Sequence, residues 1–415
     1  MKLSFFKKKA KAKEPRGVAI LMVMVSLAML MALVTELSSK ELVRYKLALN
    51  ERDALQADAL AESGANFAQI ILTVQEPLQA YMVNFAKLGI SLPEYTIWKL
   101  FPIASPFLKA VTDGSVVPDF DVLSGKKENE EPKNPSSDSE NKTKEVSLVG
   151  PYETPEGGFG AFPGQFSVNI VDEESKISVR KWTRLPFPQR KMIAEEIFHI
   201  LSKKEYEPFF ERGAGKQRNI RPSQLIGNMY DYISDEERAV DVSAPSESFG
   251  RDFIGDKRSQ YFDSPGILPK RALMDSIAEL RLVPGMNDAI YQVLSKTVTV
   301  YGESEAINIL SASDEVLGAA FYLCTKSRES SSFQRQGFEA ELLADWHRKK
   351  DESKLELSAE GVMKFLEENG IDVDKQECGK TIGTESKNFT VMSTATVGRV
   401  SRTVLLRLRS AGGLI

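Results

Sequence analysis

Residues 18–34 read VAILMVMVSLAMLMALV, and Ser26 is their single polar side chain. Seventeen positions at 1.5 Å each make about 26 Å of helix, the short edge of what crosses a hydrocarbon core about 30 Å thick. Upstream, Lys2, Lys7, Lys8, Lys9, Lys11, Lys13 and Arg16 stand against Glu14 alone. A basic leader of this kind stays cytoplasmic by the positive-inside rule, so everything after Thr35 is expected across the membrane. The same segment also fits a plain signal-anchor or a cleaved secretory signal. No small-x-small site with a helix break follows the apolar run, which speaks against cleavage by signal peptidase. Instead the helical pattern continues without Gly or Pro to Gly64. Leu42, Tyr45, Leu49, Leu55, Ala59, Leu60, Phe67, Ile70 and Ile71 give it a rough apolar stripe. Residues 18–72 therefore predict one helix of about 80 Å, stopped by Pro77.

A basic leader, a Gly directly before the apolar run and one long half-buried helix together resemble a type IV pilin or pseudopilin. The resemblance implies that a prepilin peptidase cuts after Gly17, on the cytoplasmic side, and leaves Val18 as the new amino terminus. The membrane helix is then retained. The sequence departs from the family pattern twice: the usual first residue, Phe, is Val18, and the usual fifth mature residue, Glu, is Met22. A carboxylate there is costly in lipid and is understood in the family as neutralising the amino terminus of a neighbouring subunit. A subunit without it needs no such pairing, as expected at the end of a fibre.

The remaining composition narrows the class of protein. Over 415 residues, 42% are hydrophobic and 27% charged, which excludes a wholly disordered or collagen-like chain and allows two or three domains. Two cysteines exclude a disulfide-stapled scaffold, and two histidines speak against a His-based catalytic or zinc site. Of 54 basic and 58 acidic side chains, the first 17 residues hold seven and one, leaving 47 and 57, a balance of −10. An acidic body of that kind is a poor non-specific binder of nucleic acid.

Further along, residues 126–145 contain no hydrophobic side chain and read as a solvated linker. FSVNIV (166–171) and KISV (176–179) alternate around DEES and predict a β-hairpin with one buried face. Helical spacing follows in RKMIAEEIFHIL, SQLIGNMYDYI and ALMDSIAELRLV, then strand character in TVTVY (297–301) and AINIL (306–310). DEVLGAAFYLC, FEAELLADWHRKK and AEGVMKFLEENG are again helical, and NFTVMSTATVGRV with RTVLLRLR forms a terminal hairpin. Strands, helices and strands in this order describe an α+β fold with an all-helical insertion.

Several residue groups invite a chemical reading. ELRLVPGMNDAIYQVL (279–294) has helix–Pro-Gly–helix form, and such hairpins can cradle a phosphate on their amides. Here Asp288 would repel one, and Glu279 adds to the acidity, so a structural or protein-contacting turn is favoured. MYDYISDEERAVD carries Asp231, Asp235, Glu236, Glu237 and Asp241, with Glu247 and Asp252 beyond it, the carboxylate density that hard cations use. A solvated acidic face fits the same residues. Cys324 and Cys378 lie beyond the membrane segment and pair if the compartment is oxidising; sequence alone leaves their separation open. His199 and His347 sit in helical patterns without a triad. No G-x-S-x-G, Walker loop, dinucleotide fingerprint or H-E-x-x-H is present, and no residue is nominated for catalysis.

Five segments in order are similar to the general secretion pathway protein K family, the large minor pseudopilins of type II secretion. They are RGVAIL; RDALQADALAESGANFAQ; FSVNIVDEESKISV; LIGNMYDYISDEE, with Tyr232 where the family has Trp; and SIAELRLVPGMNDAIYQVLSKTVTVYG followed by AINILSASDEVLGAA. The resemblance spans about residues 16–320 and the terminal hairpin. It implies a leader (1–17), a membrane and stalk helix (18–72) and the first part of a pseudopilin α/β domain (73–185). An inserted helical domain of helix-hairpin-helix, SAM-like type (186–296) and the remainder of the α/β domain (297–415) complete the chain. It further implies a single-pass inner-membrane protein with its globular part in the periplasm, at the pseudopilus tip. Its implied partners are minor pseudopilins I and J, other pseudopilins, the inner-membrane secretion platform and a prepilin peptidase, with no nucleic acid. Family calcium sites lie on acidic loops of the globular part, so Asp231 and Asp235 are the expected calcium ligands, with Glu236, Asp241 and Glu247 completing the candidate set. AVDVSAPSESF stands where the family's downstream pattern would be. The alternatives are a membrane-anchored DNA-uptake protein using the 284–285 turn and a type IV pilus minor pilin.

Overall fold

The computed structural model describes residues 16–87, 98, 103–105, 163–210, 220–242, 249, 251–261, 267–326, 328, 333, 335–352 and 355–410. The side chains of the first helix are described from Val18 to Val74. Residues 1–15 of the 1–17 leader, the 126–145 linker and Glu247 lie outside the described residues.

The first helix, α1 (Arg16–Lys87), is 72 residues long. It runs through Pro77 rather than stopping there. A proline removes one i→i−4 hydrogen bond, a loss that the turns on either side of residue 77 outlast. From Val18 through Leu47 every side chain is exposed. Below that point the face changes: Ala57, Leu60, Ala61, Ala65, Ala68 and Leu72 are buried at three- and four-residue spacing.

That face lies on a four-stranded antiparallel sheet of order β1–β2–β9–β10. The strands are β1 (Ile103–Ala104), β2 (Gln165–Asp172), β9 (Asn388–Val397) and β10 (Val400–Arg409). In β9, Phe389, Val391, Ala395 and Val397 alternate inward against the helix, and Phe166 of β2 joins them. β9 and β10 pair from Val400↔Val397 to Arg409↔Asn388 around a two-residue turn whose Gly398 has φ +57°. Small residues set the helix–sheet distance. A Cβ on Gly64 would stand 2.7 Å from the Phe166 ring and 2.5 Å from Ser393 Oγ.

Between β2 and β9 the chain builds a second body around its own core, reaching from Ile177 to Ile382. It contains β3 (Ile177–Ser178), α2 (Phe187–Leu201), α3 (Glu207–Phe210) and α4 (Pro222–Ile233). β4 (Arg238–Val240) and β5 (Phe253–Asp256) follow, then α5 (Asp288–Thr297), β6 (Val298–Thr299) and β7 (Ile307–Asn308). α6 (Asp314–Leu323), α7 (Phe338–Asp351), α8 (Ala359–Glu368), α9 (Lys375–Thr381) and β8 (Ile382–Gly383) complete it. Trp182 stacks on Phe249 at 5.6 Å and meets Tyr230 edge-on; Phe321, Trp346 and Phe365 form a second aromatic group.

Three local expectations are corrected. FSVNIV and KISV do not pair with each other. β2 pairs with β9, and β3 runs parallel to β6. The cause is the DEES segment, which is a buried 3₁₀ turn rather than a solvated hairpin tip. The helical insertion is not wholly helical, because β4 and β5 form an antiparallel pair within it, and SIAELRLV contributes a 3₁₀ helix over Ile277–Leu282. Finally, the helices after residue 310 share one core with those before it, so the division at 296 does not separate two packed units.

Candidate functional site

The amino-terminal part of α1, residues 18–34, presents an apolar surface broken only by Ser26. Ser26 Oγ donates to the Met22 carbonyl at 2.7 Å and Thr35 Oγ1 to the Met31 carbonyl at 2.5 Å. Both hydroxyls are thus satisfied by the helix itself, as lipid demands. α1 is long and apolar enough to cross a membrane by length and composition. Gly17 lies one residue inside its start, Val18 follows, and Met22 is exposed, so the expected carboxylate position carries a thioether facing outward. Beyond the span the helix surface becomes charged and self-paired, with Lys40–Glu36 and Arg44–Glu41 bridges at 2.7 and 3.0 Å.

At the neck where the second body leaves and rejoins the sheet, three consecutive buried carboxylates gather distant segments. Asp172 Oδ2 accepts from Asn308 Nδ2 (2.9 Å), Ser386 Oγ (2.5 Å) and Ser311 Oγ. Its Oδ1 accepts from the Glu174 amide at 3.0 Å. Glu173 accepts from Thr299 and Thr390 hydroxyls, each at 2.5 Å. Glu174 accepts from the Asn388 amide (2.9 Å) and its side-chain nitrogen (2.6 Å). Burial pushes the Asp172 carboxyl above its usual value, the three side-chain donors pull it down, and the Glu174 charge adds to the rise. Sequence reading missed this cluster by treating DEES as a turn. Three acids in a row directly after a strand, with no basic run beside them, were the available signal.

The acidic loop after α4 does not assemble the expected calcium shell. Asp231 is fully buried and accepts from the Val240 amide at 2.9 Å. Asp235 and Glu236 are exposed, Asp241 is half-buried with its amide bonded to the Asp252 carbonyl, and Glu247 is outside the described residues. Among the described residues no three Asp, Glu, His or Cys side chains converge as a metal would require. The loop's interior is occupied by Lys257, itself fully buried. Its Nζ donates to the Ser234 carbonyl at 2.6 Å and the Asp231 carbonyl at 3.3 Å. Burial lowers the Lys257 pKa, Arg271 lowers it further, and Asp231, Asp235 and Glu236 oppose them.

The Pro284–Gly285 turn faces inward. Asn228 Nδ2 donates to the Pro284 carbonyl at 2.8 Å, the Met286 amide bonds the Val283 carbonyl, and Gly285, at φ +86°, lies against Ile220. Arg281 covers the Tyr291 ring at 4.2 Å. The turn is a packing device whose Pro284 carbonyl and Met286 amide are bonded within the fold. Cys324 and Cys378 are both fully buried and joined by a disulfide that ties the end of α6 to α9. Beside it Arg328 bonds Glu195 of α2 and Glu377 of α9. His199 meets Glu339 at 3.0 Å between α2 and α7, and His347 meets Asp314 at 2.8 Å on the surface.

No family model matches the chain, and no curated protein matches it. It is similar to one chain of the crystal structure of the GspK-GspI-GspJ complex from enterotoxigenic Escherichia coli Type 2 Secretion System. The two share 16% identity at a TM-score of 0.41, over 60% of this chain and 76% of that one. A likeness of that depth carries no argument about function. What the molecule itself defines is an α+β architecture in which a long apolar helix lies on an antiparallel sheet that carries a largely helical insertion.

Proposed function

We propose that this chain is a minor pseudopilin that starts and tips a type II secretion pseudopilus, working by assembly rather than by chemistry. The observation that supports this most is α1: one continuous helix whose apolar run, residues 18–34, is wholly exposed and whose stretch from Ala57 to Leu72 packs on the sheet. A bare apolar helical segment needs lipid or neighbouring helices to cover it. The basic leader sets the amino terminus in the cytoplasm, which puts the globular part in the periplasm. Met22, in place of a carboxylate, removes the group that would pair with a subunit stacked above. The second body sits beside the sheet as a bulk that further subunits must avoid.

The test is co-purification of the full chain, in detergent, with minor pseudopilins I and J. The expected result is a complex that survives size exclusion and is lost when residues 18–49 are deleted. A full chain that associates with no pseudopilin would refute the tip role. The DNA-uptake reading finds no support in the 284–285 turn, where the Pro284 carbonyl accepts from Asn228 and Gly285 lies against Ile220.

A further inference from the structure

We infer that Lys257 is the resident cation of the 231–241 acidic loop, doing with an ammonium group what the resemblance to pseudopilin K would assign to calcium. Three observations carry this. First, α4 ends at Ile233, so its last carbonyls have no partner within the helix. Lys257 Nζ takes the Asp231 and Ser234 carbonyls, and a cation at this end also suits the helix dipole. Second, the Asp231 carboxylate accepts from the Val240 amide in β4, so this ligand is committed to the loop's own closure. Third, Lys257 is fully buried and follows β5 directly, and β5 is paired with β4. The strand pair therefore delivers the ammonium to the place where the carbonyls converge.

Calcium takes six to eight oxygens at 2.3–2.6 Å. An ammonium bonded to the Asp231 and Ser234 carbonyls leaves no room for a second cation on those two oxygens. The order of this loop should then be independent of divalent metal and dependent on Lys257.

The experiment is hydrogen exchange of the 231–241 amides, read by mass spectrometry on the full chain in detergent, with calcium chloride and separately with a calcium chelator. In the unmodified protein, protection is expected to be the same in both. In Lys257→Met, exchange is expected to be about tenfold faster or more. Two results would overturn the inference: chelation that strips protection from the unmodified chain, or a Lys257→Met chain that keeps it. If Lys257→Met does not fold, the comparison on the unmodified chain decides alone.

Discussion

Asp172 Oδ2 accepts hydrogen bonds from three side chains on two separate segments, so replacing it strands donors instead of deleting one contact. Asp172→Ala is expected to cost about 3 kcal/mol, read from urea unfolding monitored by tryptophan fluorescence. A loss near zero would mean the neck is not held by this group. Glu196, on the buried face of α2, gives a second test. Burial pushes its carboxyl from 4.5 up to about 8, Glu195 adds to the rise and Arg328 opposes it. The folded chain therefore keeps the proton until about pH 8, whereas the unfolded chain releases it above 4.5. The unfolded state binds fewer protons across that window, so stability declines as pH rises through it and levels off above about 8. Burial raises Asp172 and Glu195 as well, which steepens the decline on its acid side. Thermal melts across this window should show the slope flattened in Glu196→Gln; an identical slope would contradict the assignment.

Elements divide into those whose pattern is local and those fixed by remote partners. The α1 stripe, the helices at 187–201, 222–233, 314–323, 338–351 and 359–368, and the terminal hairpin were legible because apolar residues recur along each at the spacing of its own element, even though 222–233 and 314–323 are buried nearly all round. β3, β6, β7 and β8 were not, since two-residue strands carry too little period to read. The DEES turn was misread because its acids are satisfied by residues more than a hundred positions away, such as Asn308 and Asn388. Gly64 belongs to this scale. Gly64→Val drives atoms into the Phe166 ring and Ser393, and should cost about 1–3 kcal/mol while loosening helix from sheet. Limited proteolysis between residues 50 and 72 should then speed up, and unchanged proteolysis would speak against the close approach. The disulfide acts on α6 and α9 together. Its 54-residue loop makes the paired change Cys324→Ser, Cys378→Ser worth about 4 kcal/mol in the chain-entropy treatment. A melt unchanged by the double replacement would show that the crosslink does not form.

As a whole, the chain is two packed bodies on one apolar pole. The sheet and α1 share a core of small and aliphatic side chains, and the insertion carries its own aromatic core. Asp172, Glu173 and Glu174 stand where the two meet. The pole was legible from 17 residues of hydropathy, and the existence of a large insertion from the order of strands and helices. The unity of that insertion was not, because helices on either side of residue 296 pack together only in three dimensions. Nor was Lys257, half of an ordinary Lys257–Arg258 basic pair in sequence that burial alone makes notable. The account depends on the apolar pole being kept in the mature protein and trimmed at its inner end. The most direct test is the intact mass and amino-terminal residue of the chain purified from membranes, beside a Gly17→Leu variant. The account predicts a chain beginning at Val18 and a variant that keeps its full leader. A mature chain beginning beyond Thr35, or a Gly17→Leu variant processed like the unmodified protein, would contradict it.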